Sequence, residues 1–193
     1  MSFPNTDIQE PEFNREKFEA AVQYICSEVD DIRQLSLTKL HKILYYADRE
    51  AYLALGEALT GETYVKADYG PMSEHLPPTL TRLEEEDEIK HIEKRGHTSK
   101  LGTYTQNCYV ATRPPELDIF KPEEVQLLSE TAQLIQKNFT SEEVSDLSHD
   151  VVWRSVKMGE PLPYYTALLQ ATEPVTGSEV REWGREKAEE LFG

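Results

Sequence analysis

The sequence predicts a mostly α-helical protein of the α+β class, in which a small antiparallel β-sheet or hairpin is inserted between two helical parts. Apolar residues recur at helical spacing before residue 60 and again after residue 120, a pattern typical of amphipathic helices. Between these parts, apolar and polar residues alternate in short runs separated by Gly and Pro, as they do in β-hairpins. The length of 193 residues suits one domain with one core.

The predicted elements form three parts behind a short arm. Residues 1–13 contain two prolines and no periodicity, so we expect a flexible N-terminal arm. A single domain over residues 14–193 follows. It is predicted to have a helical core over 14–60, a small sheet over 62–112 and a helical C-terminal part over 120–192.

Two helices are predicted in the helical core. Asn14 is a good N-cap for the first helix, because its side chain can accept a hydrogen bond from an unpaired amide of the first turn. The second helix is predicted over residues 36–55, with Gly56 as its C-terminal stop. Its neighbouring Tyr45 and Tyr46 differ by about 100° around the axis. One is predicted to pack inside, and the other to lie closer to a contact surface.

The sheet region is predicted to contain a short strand, a helix and a hairpin. The strand covers residues 64–69 and ends at Gly70 and Pro71, where we expect a structural corner. Proline restricts the preceding residue to extended conformations, and glycine readily adopts a positive φ. The pair of prolines at 77–78 can open a helix, since proline in the first turn loses no hydrogen bond. Residues 89–112 are predicted to form a hairpin with a long tip.

Three helices are predicted in the C-terminal part. The first covers residues 122–139, whose apolar residues lie on one helical face. Thr140 and Glu143 match a capping box, in which two side chains bond reciprocally to unpaired backbone amides. The helix that they begin is predicted to continue through Val151. A second capping box at residues 176–179 opens the last predicted helix.

The chain is strongly acidic, which narrows the classes of partner. It has 20 Lys and Arg against 36 Asp and Glu, a formal net charge of −16. Nucleic-acid affinity comes mainly from Lys and Arg at the phosphates, so no direct nucleic-acid binding is expected. No run of about 18 apolar residues and no signal-peptide pattern is present. With only two cysteines as well, the sequence predicts a cytoplasmic protein with no membrane contact.

No motif points to catalysis, a metal or a cofactor. The spacings of His and Cys match no metal site, and the phosphate loop, dinucleotide fingerprint and nucleophile elbow are absent. The five acids at residues 84–88 are typical of a solvated helix end. The sequence therefore predicts that the protein is not an enzyme and has no catalytic residues. The alternative is an enzyme with a dispersed site at His41, Tyr45, Tyr69 and His149.

Four segments, in order along the chain, resemble a known family. The run LTKLHKILYYA at residues 37–47 is followed by LALGEAL at 53–59 and by Tyr-Gly-Pro at 69–71. Residues 140–149, which end in Ser-His, and then Trp153 add a further match. Together these segments resemble the Panacea domain of SocA-like antitoxins, also called the phage-associated GepA-like family.

The resemblance implies a protein-binding module that neutralises a toxin partner, and the toxins of such modules are diverse. We expect a co-encoded toxin that is itself basic, because residues 114–150 contain nine acidic residues and two basic ones. Two alternatives remain open, both phage or mobile-element proteins of the same fold that bind a host factor: a protease adaptor, or an acidic mimic of nucleic acid. Gly70 and Pro71 are expected to be structural, and the expected contact residues are Lys39, Tyr45, Tyr46, Tyr69, Glu123, Glu124, Glu142, Glu143, His149 and Trp153.

Overall fold

The computed structural model of the chain describes residues 10–29, 35–98 and 102–168. The predicted last helix and residues 1–9 of the predicted arm lie outside the described residues. Within them the mostly α, α+β class is confirmed. The elements follow in the order α1 (Arg15–Ser27), α2 (Leu37–Leu55), β1 (Tyr64–Ala67), β2 (Gly70–Ser73), α3 (Leu76–Glu85), β3 (Ile89–Thr98), β4 (Gly102–Ala111), α4 (Pro122–Asn138), α5 (Ser141–Leu147) and α6 (Val151–Ser155).

Helices α1 and α2 begin and end where their capping residues indicate. The Asn14 side chain accepts a hydrogen bond from the Lys17 amide at 3.0 Å. The Ser36 hydroxyl accepts one from the Lys39 amide at 3.1 Å. Helix α2 ends at Gly56, whose φ of 77° is in the left-handed region that favours glycine. The predicted start of α1 and both predicted bounds of α2 are therefore confirmed.

Helix α2 is the centre of the core. Eleven of its nineteen residues are buried, because it packs against α1, α4, α5, β2 and β4. Tyr45 is fully buried, and Tyr46 is half-buried. No helix among the described residues is long and apolar enough to cross a bilayer.

The region of the predicted strand at 64–69 is a hairpin, so that prediction is wrong in detail. Strand β1 pairs antiparallel with β2, with Tyr64 opposite Ser73 and Ala67 opposite Gly70. Gly70 therefore starts the returning strand instead of ending the first one. The other edge of β1 is also covered, because Lys66 exchanges backbone hydrogen bonds with residues 159–160. A local pattern of Gly and Pro marks a change of direction without showing whether the chain turns back.

Helix α3 and the second hairpin are present as predicted, but the hairpin lacks its predicted long tip. Helix α3 begins with the two prolines in its first turn. Strands β3 and β4 form the predicted hairpin, with Ile89 opposite Ala111 and Thr98 opposite Gly102, so polar residues that were predicted to form the tip belong to the paired strands. The two hairpins form separate two-stranded sheets in the described part of the chain.

The capping box at the start of α5 is confirmed, but the helix that follows is shorter than predicted. The Glu143 carboxylate accepts a hydrogen bond from the Thr140 amide, and the Thr140 hydroxyl accepts one from the Glu143 amide. The chain leaves the helix after Leu147 and begins α6 at Val151. Asp150 produces this break, because its carboxylate accepts a hydrogen bond from the Trp153 amide at 2.9 Å and so caps a new helix.

Residues 10–13, predicted as part of the flexible arm, pack against the folded part of the chain. The Phe13 ring lies 4.2 Å from the His75 ring and stacks on it. The Glu10 carboxylate accepts a hydrogen bond from the Tyr164 amide at 3.0 Å. A Cβ on Gly61 would lie only 2.1 Å from the Glu12 carbonyl oxygen. These contacts correct the arm prediction for the described residues, because Phe13 provides apolar surface to bury.

Candidate partner-binding site

Asp48 organises the chain between α2 and β1. Its carboxylate is fully buried and accepts hydrogen bonds from the Thr60 amide and hydroxyl, both at 2.6 Å, and from the Gly61 amide at 3.2 Å. The Tyr64 hydroxyl donates to it at 2.7 Å. Burial raises the pKa of Asp48, and the bonds from Thr60 and Tyr64 oppose that rise. The carboxylate therefore fixes the start of the first hairpin to the central helix.

A second buried carboxylate lies behind the same hairpin. Glu62 is fully buried and accepts a hydrogen bond from His75 Nδ1 at 2.9 Å. Burial raises the pKa of Glu62, and His75 lowers it. The Tyr164 hydroxyl donates to the Glu62 backbone carbonyl at 2.8 Å, which ties residues after α6 to the start of β1.

Helix α2 holds strand β2 by two polar side chains. Lys42 Nζ donates to the Pro71 carbonyl at 2.8 Å, and burial lowers the pKa of Lys42 to about 7. His41 Nδ1 accepts a hydrogen bond from the Ser73 amide at 3.2 Å. Burial, together with the neighbouring Lys42 charge, lowers the pKa of His41 to about 3. His41 is therefore a neutral acceptor at physiological pH.

Helices α5 and α6 hold the other side of the hairpin. The Ser145 hydroxyl donates to the Tyr69 carbonyl at 3.0 Å. The Trp153 indole donates to the Ala67 carbonyl at 3.2 Å. Three helices thus contribute side-chain hydrogen bonds to a hairpin whose strands have four residues each. Bonds to backbone atoms fix the chain path without using the hairpin's own side chains.

Gly70 allows this close packing. Its φ is 91°, a conformation that side-chain-bearing residues rarely adopt. A Cβ at this position would lie 2.0 Å from the Ser148 hydroxyl and 2.9 Å from Lys42 Nζ. Glycine is therefore needed both for the conformation and for the approach of the two side chains.

Trp153 is packed between polar neighbours. The His149 ring stacks on the Trp153 ring at 4.0 Å between centroids. Lys66 Nζ also lies 4.0 Å from the Trp153 ring centroid, and it donates to the Val156 carbonyl at 2.8 Å. A cation this close to an indole face is stabilised by the negative potential of the ring.

Two buried polar atoms near α2 and α6 have no hydrogen-bond partner within the described residues: the Tyr45 hydroxyl and His149 Nε2. The Arg49 guanidinium lies 5.1 Å from the Tyr45 ring centroid and donates to the Thr166 hydroxyl at 3.1 Å. Burial raises the pKa of Tyr45 and of Tyr46, which keeps both phenols neutral. Tyr45 therefore acts through the packing of its ring.

Three large apolar side chains of this assembly are exposed, and exposed acidic residues lie near them in sequence. Tyr69 is 75% exposed at the turn of the first hairpin. Leu147 and Val151 are also exposed, and they flank Ser148 in sequence, whose hydroxyl lies close to Gly70. We call Tyr69, Leu147 and Val151 the tip surface. Its acidic border consists of the exposed residues Asp68, Glu142 and Asp146.

Residues 40–154, which are more than half of the chain, match the sequence model of the family described as antitoxin SocA-like, Panacea domain. The match begins in α2 and ends in α6, so it contains the three side chains of α2, α5 and α6 that donate to backbone carbonyls of the first hairpin. The chain belongs to the Panacea-domain family of SocA-like antitoxins. Among curated proteins and solved structures, none matches the chain significantly.

Some of the expected contact residues of this Panacea domain do not reach the surface. Lys39 is 5% exposed and donates to the Gln136 carbonyl at 3.0 Å, and burial lowers its pKa. Glu124 is 2% exposed and pairs with Lys17 at 2.8 Å. These placements correct the expectation for both residues, since a charged side chain that is paired in the core is not available to a partner. The Tyr45 side chain is also fully buried, so it does not reach the surface either.

Other expected residues are where a partner can reach them. Tyr69, Glu123, Glu142 and Glu143 are exposed, although Glu143 also caps α5. His149 and Trp153 are half-buried, and they lie beside the hairpin. Tyr46 in α2 is half-buried as well. Gly70 and Pro71, which were expected to be structural, are buried within the hairpin.

Most of the residues that hold the first hairpin in place were not among those singled out from the sequence. Lys42 lies among apolar residues of α2, which is an unusual place for a lysine and was the available signal. Asp48 gave a similar signal, since it is an acid in the same buried helix. Ser145 and Ser148 gave none, because serine is common in exposed and buried positions alike. Among the described residues, no group of three His, Cys, Asp or Glu side chains could hold a metal ion.

Proposed function

We propose that this Panacea domain is an antitoxin-like protein-binding module, which neutralises a co-encoded toxin by direct protein–protein contact and without catalysis. One observation carries the proposal beyond family membership. Three side chains of the matched segment, Lys42, Ser145 and Trp153, donate to backbone carbonyls of the first hairpin, and the Tyr69 side chain is left exposed. Such an arrangement supports a scaffold that presents a contact surface.

The division between inner and outer residues suits a family whose toxin partners are diverse. Lys42, Gly70 and Trp153 act on the backbone path of the hairpin, so their identity is fixed by the fold. Leu147 and Val151 are exposed and make few demands on the fold, so they can differ between members that bind different partners. Specificity between partners arises from such surface differences.

The charge of the module supports a basic toxin. Glu123 and Glu142 are exposed and make no ion pair with another described residue. Complementary fields raise association rates more than they strengthen affinity, and screening at physiological salt acts over about 8 Å. We therefore expect association with the toxin to slow as salt rises.

Co-expression tests the proposal. The open reading frame beside this gene is expressed alone and together with the Panacea domain at increasing levels, and colony formation is counted. The proposal predicts toxicity of the neighbouring protein alone, relief at roughly equal amounts, and co-purification of the two chains. Relief at amounts far below those of the toxin would contradict direct contact, because it would require turnover. Persistent toxicity with a soluble, folded Panacea domain would contradict the antitoxin function.

A further inference from the structure

We propose that the tip surface is the docking site of the toxin, and that it fits a partner face with an apolar pocket bordered by Lys or Arg. This inference rests on the proposed function and assigns it to a place on the molecule. Tyr69 is the central side chain, Leu147 and Val151 extend the apolar contact, and the acidic border selects the charge of the partner.

Tyr69 has the properties of a side chain that dominates a binding energy. It is the most exposed large hydrophobic residue among those described, and tyrosine combines a large apolar ring with a polar hydroxyl. The backbone around Tyr69 is already held in place. The Ser145 hydroxyl donates to the Tyr69 carbonyl, and Lys42 Nζ donates to the Pro71 carbonyl. A backbone that is already ordered loses less conformational entropy on binding, and tyrosines are enriched among the residues that carry most of an interface energy.

The neighbouring apolar residues extend the contact beyond one ring. Leu147 ends α5 and Val151 begins α6, on either side of Ser148 in sequence, and the Ser148 hydroxyl lies close to Gly70. Leu147 is 55% exposed and Val151 is 45% exposed. Burial of these two side chains by a partner would add apolar contact area to that of Tyr69.

The border of the tip surface decides the chemistry of the partner. Asp68 adjoins Tyr69, and Glu142 and Asp146 lie on α5 with Ser145 between them in sequence. None of these three acids pairs with a base in the described part of the chain. Helix α6 adds the exposed base Arg154, so the acidic side of the border is the α5 side.

The same border disfavours two other occupants. In a symmetric contact between two copies, like charges at Asp68, Glu142 and Asp146 would face one another, and such juxtaposition is unfavourable. A nucleic-acid backbone would be repelled by the same acidic residues, and no cluster of Lys or Arg side chains compensates for them on the described surface. A protein surface with Lys or Arg side chains around an apolar pocket is complementary both to the apolar centre and to the acidic side.

The affinity of purified Panacea domain for the purified toxin tests the site. Tyr69→Ala is compared with Leu134→Ala, which truncates an apolar side chain on α4 that is also exposed, at 56%. Tyr69→Ala should weaken binding at least 30-fold, and Leu134→Ala less than 3-fold, with both variants melting within a few degrees of the wild type. Double reversal of Glu142 and Asp146 to Lys should slow association and reduce its dependence on salt.

The outcomes separate the site from the function. Wild-type binding that is unchanged by Tyr69→Ala would overturn the tip as docking site and would leave the antitoxin function in place. Absence of any complex and of any relief of toxicity with the wild type would overturn the function itself. A dimer of the Panacea domain that dissociates on Tyr69→Ala would identify a second copy as the occupant, against this proposal.

Discussion

The two hairpins of this Panacea domain differ in how they are held. The β1–β2 hairpin is short, and side chains from α2, α5 and α6 donate to its backbone carbonyls. The β3–β4 hairpin has ten-residue strands, about 34 Å long. It packs against α1, α2 and α3 at its base, where Ile89 and Cys108 are buried, and Arg95 and Thr105 farther along are exposed. The length of a hairpin therefore does not determine how much of it is held against the core.

The charges around the two hairpins differ as well. Strand β3 carries Lys90, Lys94 and Arg95, and none of them pairs with an acid among the described residues. Lysine and arginine along an exposed strand disfavour pairing with the edge of another chain. Acids border the tip of the first hairpin instead. In the described structure, a backbone bonded by side chains of three helices, an exposed aromatic side chain and nearby unpaired acidic residues coincide only at the β1–β2 hairpin.

The largest expected effect comes from loosening the short hairpin at Gly70. Gly70→Ala should reduce the free energy of unfolding by about 3 kcal/mol, because the new Cβ overlaps the Ser148 hydroxyl and Lys42. The melting temperature would fall by about 6–12 °C in a chain of this size. Gly56→Ala is the matched control, since Gly56 also has positive φ but no atom within 4 Å of its Cβ position. It should cost about 1 kcal/mol, and equal losses at both positions would contradict the close-packing account.

The next effect concerns the start of the hairpin. Tyr64→Phe removes the hydroxyl that donates to buried Asp48 and should cost about 2 kcal/mol in chemical denaturation. Tyr45→Phe is the matched control, because the Tyr45 hydroxyl is buried without a partner in the described structure. It should leave the stability unchanged or raise it slightly. A large loss of stability in Tyr45→Phe would contradict this expectation, because it would show that the Tyr45 hydroxyl makes a hydrogen bond to a group outside the described residues.

The helical starts and stops could be predicted because their causes are local. Asn14, Ser36 and Gly56 lie within three residues of the groups they cap, so the sequence is sufficient. The capping box of Thr140 and Glu143 is local in the same sense.

Burial and the direction of the chain could not be predicted from local sequence. Glu124 is buried because Lys17, 107 residues away, pairs with it. Lys39 is buried because its ammonium group reaches a carbonyl of α4. The return at Gly70 depends on Lys42 and Ser148 packing against it, and these contacts arise only in the folded chain.

A pH-dependent effect of similar or smaller size is expected at His41. Its pKa of about 3 in the folded protein lies below the ordinary value near 6.5. Between these values the unfolded chain binds more protons, so stability falls as the pH falls, by up to about 1.4 kcal/mol per pH unit. His41→Gln keeps an acceptor for the Ser73 amide without a titrating group. From pH 7 to pH 5 the wild type should lose about 2 kcal/mol more than this variant, and parallel losses would contradict the assignment.

The smallest effect is expected in the long hairpin. Lys94→Gln combined with Arg95→Gln should change the free energy of unfolding by less than about 0.5 kcal/mol, because neither side chain has an ion pair with a described residue. Neutralisation of the toxin should also be unchanged in the colony assay. Loss of neutralisation with normal stability would place the long hairpin in the contact and would remove the contrast between the two hairpins.

Hydrogen exchange of the complex tests the contrast most directly. Backbone amides of the free Panacea domain and of its complex with the toxin are compared by mass spectrometry. The account predicts slower exchange on binding at residues 68–73 and 142–153, which form the tip and its border, and unchanged exchange in the outer part of β3 and β4. Slower exchange in β3 and β4, with no change around Tyr69, would contradict the claim that the short, firmly held hairpin makes the contact.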